Sequence, residues 1–117
     1  MRKLLIAAAL VGTAAGSASA ANYNGFVTNV APVNGRVYIV VSGGGFDGAA
    51  STCYVNAASM IYSFDGTTPA GKLIMAAALT AKATKAQVYA FSDGSCLPGN
   101  PFTGSGSENI YGIDYKG

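Results

Sequence analysis

The two cysteines, Cys53 and Cys96, restrict the fold most, because they bracket the one segment with a clear helical pattern. Two cysteines in a chain that leaves the cytoplasm usually pair. The alternative, a reactive thiol or a metal-binding pair, is disfavoured because the chain has no histidine and no CxxC motif. We therefore predict a Cys53–Cys96 disulfide, which would stabilise the domain by at most about 4 kcal/mol.

The segment between the cysteines contains a capped helix. Thr67 or Thr68 can accept a hydrogen bond from an early helical amide, and Pro69 suits the first helical position. The residues predicted to form its apolar, packed face recur at helical spacing and are Leu73, Ile74, Ala77, Ala78 and Ala81. Its strongly apolar core spans residues 73–79, which is much shorter than the ~20 residues of a membrane span.

Residues 1–20 have the pattern of a bacterial secretory signal peptide. A basic start and an apolar run over residues 4–11 lead to Ala18-Ser19-Ala20, an A-x-A cleavage site. The alternative is an uncleaved membrane anchor, which the short apolar run disfavours. We predict a cleaved leader over 1–20, a single domain over 21–117 and a secreted or periplasmic location, with no membrane insertion after cleavage.

Removal of the leader changes the charge of the chain. Two of the seven basic residues belong to the leader, so five basic residues remain against five acidic ones. The predicted mature domain is therefore formally neutral. Nucleic-acid binding requires a basic surface that neutralises phosphates, so no nucleic-acid partner is expected.

Strand patterns flank the helix on both sides. A hairpin is predicted over 25–42, with its turn at 32–35, where Asn-Gly tolerates positive φ. Val27 and Val30 are three residues apart rather than two, which indicates a bulge or a sharp bend. The other predicted strands are 60–64, 87–91 and 109–115, and the predicted connections are the glycine-rich stretch 43–51, Asp93-Gly94-Ser95 and the loop 97–107.

The resulting element order is β-β-β-α-β-β, with the helix between strands three and four. This is the order of the OB-fold, a small five-stranded barrel with one helix at its end. The predicted fold class is therefore mainly β (α+β), an OB-fold-like barrel with one disulfide. A small open α+β sheet could share this order, so the order by itself leaves both architectures open.

Catalysis is not expected. Without histidine a Ser-His-Asp or Cys-His system is excluded. Asp47, Asp65 and Asp93 each precede a glycine, a pair typical of turns rather than of a general acid and base. Neither a zinc ligand set nor a known calcium-loop spacing is present, so no metal or cofactor is predicted.

A family resemblance runs through nearly all of the predicted mature chain. Its motifs are the VxxV and GRVYIVV strands, the first cysteine, YSFDGTTPAGK before an alanine-rich helix, then VYAF, GSC and a closing IxxI strand. This frame resembles small bacterial secreted proteins related to the B subunit of subtilase cytotoxin. Those B subunits are OB-folds that assemble as pentamers and bind sialylated glycans. The resemblance thus implies a non-catalytic, homo-oligomeric binding module.

Tyrosine is the residue type best suited to sugar recognition in this chain, since it stacks on sugar faces and hydrogen-bonds hydroxyls. The candidate binding residues are the tyrosines predicted to be partly exposed: Tyr23, Tyr38, Tyr54, Tyr111 and Tyr115. The alternative is that they complete a small core without tryptophan. Two functions stay open: a glycan-binding module, or a periplasmic structural or regulatory protein that binds a protein partner.

Overall fold

The computed structural model describes residues 20–51, 53, 58–103 and 106–116. The predicted leader therefore lies outside the described residues except for Ala20. The elements are β1 (Asn22–Val33), β2 (Arg36–Asp47), β3 (Ser59–Asp65), α1 (Pro69–Thr84), β4 (Gln87–Leu97) and β5 (Ser107–Tyr115). The predicted order, with one helix between strands three and four, is confirmed.

The five strands close into one barrel in the order β1-β2-β3-β5-β4, and β4 pairs back onto β1. The β3–β5 pair is parallel and short, and the other neighbours are antiparallel. This ring confirms the OB-fold-like barrel and excludes the open sheet. The barrel is filled by alternate residues of its strands, mainly Val37, Ile39, Val41, Met60, Tyr62, Phe64, Val88, Ala90 and Ile110.

Local chemistry explains the first hairpin. Asn34 and Gly35 both have positive φ, 50° and 82°, as a two-residue hairpin turn requires. The predicted irregularity in β1 is confirmed, since its register against β2 shifts between Asn24 and Phe26 and again between Val27 and Asn29. Such bulges bend a strand and help a small sheet to close.

Two predicted connections were wrong, the stretch 43–51 in its first half and residues 93–95 throughout, because strands run through them. The glycine-rich stretch 43–51 continues β2 as far as Asp47, and its first half pairs with the start of β1. A Cβ at Gly44 would lie 1.9 Å from the carbonyl oxygen of Asn24, so glycine there permits close strand pairing. Residues 93–95 form an irregular stretch within β4, where Gly94 has a φ of 84°.

Helix α1 begins at the cap Thr68, whose hydroxyl accepts a 2.9 Å hydrogen bond from the amide of Gly71. It lies against β1 and β5 through a narrow strip of small residues, Gly71, Ala78 and Ala81. A Cβ at Gly71 would lie 1.8 Å from the carbonyl oxygen of Asp65, so only glycine fits there. The packing of Leu73 was wrongly predicted. Its side chain is 73% exposed, because the strip is too narrow to cover it.

The predicted disulfide is confirmed. Cys53 and Cys96 are bonded, with their Cα atoms 5.4 Å apart. The bond ties the segment before β3 to the end of β4 and indicates a non-reducing compartment. Within the described residues, α1 is neither long nor apolar enough to cross a membrane.

Candidate functional site

Three aromatic side chains lie in a row on the outside of the barrel. Tyr89 and Phe91 come from β4 and Tyr111 from β5, and we call them the aromatic row. Residues on β4 alternate between the two faces of the sheet, so Val88, Ala90 and Ser92 are buried while Tyr89 and Phe91 are only half-buried. Tyr111 is 62% exposed.

The rings contact one another in sequence. Tyr89 and Phe91 meet edge to face with ring centroids 4.8 Å apart, and Phe91 and Tyr111 lie 6.1 Å apart with an interplanar angle of 31°. These separations lie in the range of favourable aromatic pairs. The row therefore offers a continuous apolar surface made of ring edges and faces.

A β-bulge places Tyr111 in the row. Phe91 pairs with Gly112 and Ser92 pairs with Ile110, so Tyr111 is an extra residue in β5 with no partner on β4. Gly112 leaves room for Phe91, since a Cβ there would lie 3.3 Å from Cδ2 of the Phe91 ring. The bulge and the glycine together let the Phe91 and Tyr111 rings lie side by side.

Polar groups surround the Tyr89 end of the row. The Tyr89 hydroxyl donates a 2.5 Å hydrogen bond to Asp47 and accepts one of 3.4 Å from the amide of Asn22. The hydrogen bond to Asp47 is the main reason why the pKa of Tyr89 is raised. The ammonium of Lys116 lies 5.3 Å from the centre of the Tyr89 ring. This end thus presents a carboxylate, an amide and a cation beside an aromatic ring.

The other end of the row is polar as well. Asp93 follows Phe91 by two residues on the same face of β4 and accepts a 2.9 Å hydrogen bond from the Asn109 amide. Asn109 in turn accepts a 2.9 Å bond from the guanidinium of Arg36. Partial burial by itself would raise the pKa of Asp93, but hydrogen bonds from Ser95 and Asn109 lower it overall. Asp93 therefore stays ionised in mildly acidic solution.

Such an arrangement suits a ligand with an apolar face and a polar rim. Sugar rings have this character, because their axial C–H groups form apolar patches between hydroxyls. Aromatic rings can carry the patches, while carboxylates and amides bind the hydroxyls. The row is a shallow surface rather than an enclosed cavity, so it suits the end of an exposed chain more than a buried small molecule.

The structure separates the five predicted tyrosines. Tyr111 belongs to the row, and Tyr115 is 48% exposed but donates its hydroxyl to the Ala77 carbonyl of α1. Tyr38 is half-buried on β2. Tyr54 lies outside the described residues. The predicted exposure of Tyr23 was wrong: it is fully buried, because β1 turns its side chain into the barrel, where it packs edge to face against Phe46.

Sequence reasoning missed Tyr89 and Phe91 as site residues. Both lie in the VYAF strand, where the small residue Ala90 and the buried Val88 alternate with them. That alternation already placed the two rings on one face, and the larger rings lie on the outer one. A barrel of five strands has a small interior, so the smaller residues of this strand are expected to face inward and the bulky rings outward. This alternation of small and bulky residues is the signal that could have found Tyr89 and Phe91.

No group of histidine, cysteine, aspartate or glutamate residues that could hold a metal ion occurs in the part of the chain that the structure describes. Neither a protein-family model nor a curated protein matches the chain. The resemblance to the B subunit of subtilase cytotoxin therefore remains an expectation from the sequence.

Proposed function

We propose that this chain is an exported, non-catalytic binding domain that recognises a glycan on the aromatic row. The observation that carries the proposal is a row of three contacting rings, of which Tyr111 is exposed and the other two are half-buried, with hydrogen-bonding groups at both ends. A folded domain of this size gains stability from buried rings, so a row of rings in contact that solvent can reach favours a binding role.

The cation of Lys116 favours a sialylated glycan as the ligand class, although the carboxylates of Asp47 and Asp93 lie at the two ends of the row. Lys116 lies beside Tyr89 at one end and could pair with the carboxylate of a sialic acid. Asp47, Asn22 and Asn109 are suitable partners for hydroxyl and amide groups of the sugar. The sequence resemblance implies the same ligand class.

Export is part of the proposal. The disulfide indicates a non-reducing compartment, and residues 1–20 have the pattern of a leader for secretion or for the periplasm. A homo-oligomer, as the resemblance implies, would present several copies of the row and raise the avidity for a surface that carries many glycans. Light scattering on the oxidised protein would measure the number of copies.

A glycan array tests the proposal directly. The oxidised protein is expected to bind sialylated glycans, and Tyr111→Ala to lower the affinity for the best of them about tenfold, as loss of one stacked ring would. Leu79→Ala serves as the control, because Leu79 is an exposed apolar residue of α1, whereas Leu73 lines a groove together with Tyr111. An array without binding, or equal losses in the two variants, would overturn the proposal.

A second candidate function is docking to a protein partner. It is favoured by two exposed leucines of α1, Leu73 at 73% and Leu79 at 45% exposure. A regulatory or structural partner in the envelope would be captured by the wild-type protein and lost with Leu79→Ala. Tyr111→Ala should then have no effect, so Leu79→Ala and Tyr111→Ala distinguish the two functions.

A further inference from the structure

The carboxylate of Glu108 is buried inside the barrel, with a side-chain exposure of 1%. Glu108 lies on β5, opposite Tyr62 of β3 and Cys96 of β4. A buried carboxylate is costly unless donors or a cation compensate for the lost water. The groups that contact this carboxylate therefore decide whether its burial is compatible with a stable barrel.

Three donors converge on this carboxylate. The Ser92 hydroxyl donates to Oε1 at 2.5 Å, the Ser51 hydroxyl donates to Oε2, and the backbone nitrogen of Ala21 donates to Oε1 at 3.1 Å. An ionised carboxylate accepts hydrogen bonds only, so this set of donors matches that form. The site thus joins β4, β5, the segment before Cys53 and the first residue after the predicted leader.

No basic side chain of the described residues is among these partners. Arg36 binds Ser63 and Asn109, and Lys116 lies over Tyr89. The remaining three lysines are exposed on or just after α1. The charge of Glu108 consequently lacks a side-chain cation on this part of the chain.

Ala21 is held firmly at this point. Its side chain is 1% exposed, whereas Ala20 is exposed. Its nitrogen binds Glu108, and its carbonyl oxygen accepts a hydrogen bond from the buried Tyr62 hydroxyl. The change from exposed to buried coincides with the end of Ala18-Ser19-Ala20, the predicted cleavage motif.

We propose that the chain is cut between Ala20 and Ala21 and that the new α-ammonium group of Ala21 becomes the buried counter-ion of Glu108. A signal peptidase would catalyse this hydrolysis before the chain folds. The C–N bond between the two alanines breaks, and water supplies a hydroxyl to the Ala20 carbonyl carbon and a hydrogen to the nitrogen. A proton from solution completes the ammonium, because an α-amine has an ordinary pKa of about 7.7–8.0.

Processing would then complete the barrel. Before cleavage the nitrogen of Ala21 is a neutral amide that offers one hydrogen to Glu108. After cleavage it carries a positive charge at the same place, and a charge-assisted hydrogen bond is roughly twice as strong as a neutral one. The mature protein is thereby favoured in its folded form over the precursor.

Mass spectrometry and amine labelling of the protein exported from its full-length gene test this inference. The mass should correspond to residues 21–117 with one disulfide. At pH 7 an ordinary α-amine reacts with an N-hydroxysuccinimide ester faster than lysine does, because more of it is unprotonated. The α-amine of the folded wild type is expected to react about tenfold more slowly than the exposed lysines, and this order should reverse on unfolding.

Two variants and one control show whether Glu108 causes the slow labelling of the α-amine. Glu108→Gln should raise the labelling rate of the α-amine about tenfold, whereas Asp114→Asn, an exposed carboxylate on the same strand, should leave it unchanged. Insertion of one glycine between Ala20 and Ala21 moves the ammonium ~3.8 Å along the chain and should restore ordinary labelling. If a variant fails to fold, the inference is still tested by the mature mass and by the labelling rate of the wild-type α-amine relative to the lysines.

A mature mass that begins at any residue other than Ala21 would overturn the inference. An α-amine that labels faster than the lysines in the folded wild type would overturn it as well. Neither outcome depends on glycan binding, so the test is independent of the proposed function.

Discussion

Two side chains of β5, only three residues apart, show how differently the inside and the outside of this barrel are built. Glu108 is a charged residue that is completely buried, and Tyr111 is a large aromatic residue that is mostly exposed. Full burial is rare for glutamate, whereas tyrosine has no strong preference for either side of the surface. Three hydrogen-bond donors contact the Glu108 carboxylate and offset the free energy lost when it is removed from water. Tyr111 has no such structural compensation, which is why we assign it to binding.

Two tyrosines repeat the comparison. The pKa of Tyr62 is raised chiefly by burial and next by the nearby Glu108 carboxylate, because both disfavour a phenolate inside the barrel. The pKa of Tyr89 is raised chiefly by its hydrogen bond to Asp47 on the surface. Both pKa values are raised, but the cause is burial in the barrel for Tyr62 and a surface hydrogen bond for Tyr89.

The largest expected effect is on the inner region and follows from loss of the disulfide. Replacing Cys53 and Cys96 together by serine should lower the free energy of unfolding by about 3–4 kcal/mol, because the bond limits the unfolded chain. Urea unfolding of the double variant and the wild type measures this difference. The aromatic row should keep its affinity for glycans wherever the variant is still folded. A loss of affinity without unfolding would contradict the separation of the two regions.

The second largest expected effect is the difference in stability between Glu108→Ala and Tyr111→Ala. Glu108→Ala leaves three buried donors without their acceptor and should cost about 3 kcal/mol of stability. Tyr111→Ala removes an exposed ring and should change stability by no more than about 0.5 kcal/mol. Thermal or urea unfolding of the two variants gives both numbers. Equal destabilisation would show that the aromatic row is part of the fold.

A smaller effect is expected at the charged end of the row. Lys116→Gln should weaken binding of a sialylated glycan about fivefold while the asialo form is unaffected, since an exposed ion pair contributes about 1 kcal/mol or less. Calorimetric titration with the two glycans measures this ratio, and it should fall at high salt because surface charges are screened. Equal weakening for both glycans would show that Lys116 acts through packing on Tyr89 rather than through its charge.

The smallest effect concerns alkaline titration of the tyrosines. The pKa values of Tyr62 and Tyr89 are both raised, so part of the phenolate absorbance of the folded protein should appear at higher pH than in the unfolded chain. When the pKa of a tyrosine is higher in the folded than in the unfolded state, ionisation disfavours folding. Its contribution to the free energy of unfolding is therefore fully present below pH ~10 and is lost as the pH rises through the pKa of the folded state. Tyr89→Phe should remove one late-titrating group. Coincident titration curves for the folded and the unfolded protein would contradict these assignments.

Local signals in the sequence predicted much of this fold. The Asn34-Gly35 turn, the Thr68 cap and the irregular spacing of Val27 and Val30 are each decided by neighbours along the chain. These features placed the hairpin, the helix start and the bend of β1. The element order followed from these features and the strand patterns, whereas the disulfide followed from the presence of two cysteines in a chain with an export leader.

Features that depend on distant partners could not be predicted in the same way. Residues 43–47 are strand only because the start of β1 offers a partner, and glycines alone carry no such signal. Tyr23 is buried because β1 directs it inward, and Leu73 is exposed because the contact strip of α1 is narrow. The aromatic row joins β4 with a bulge in β5, so it became visible only once those strands were paired.

The most direct test of the account is an NMR titration of the oxidised protein with a sialylated glycan, followed through aromatic ring and methyl signals. We predict that the largest shifts occur at Tyr89, Phe91 and Tyr111, with smaller ones at Asn22 and Asn109, and that the methyl groups of Leu79 stay unchanged. Shifts confined to the α1 leucines, or no shifts at all with folded protein and excess glycan, would contradict it.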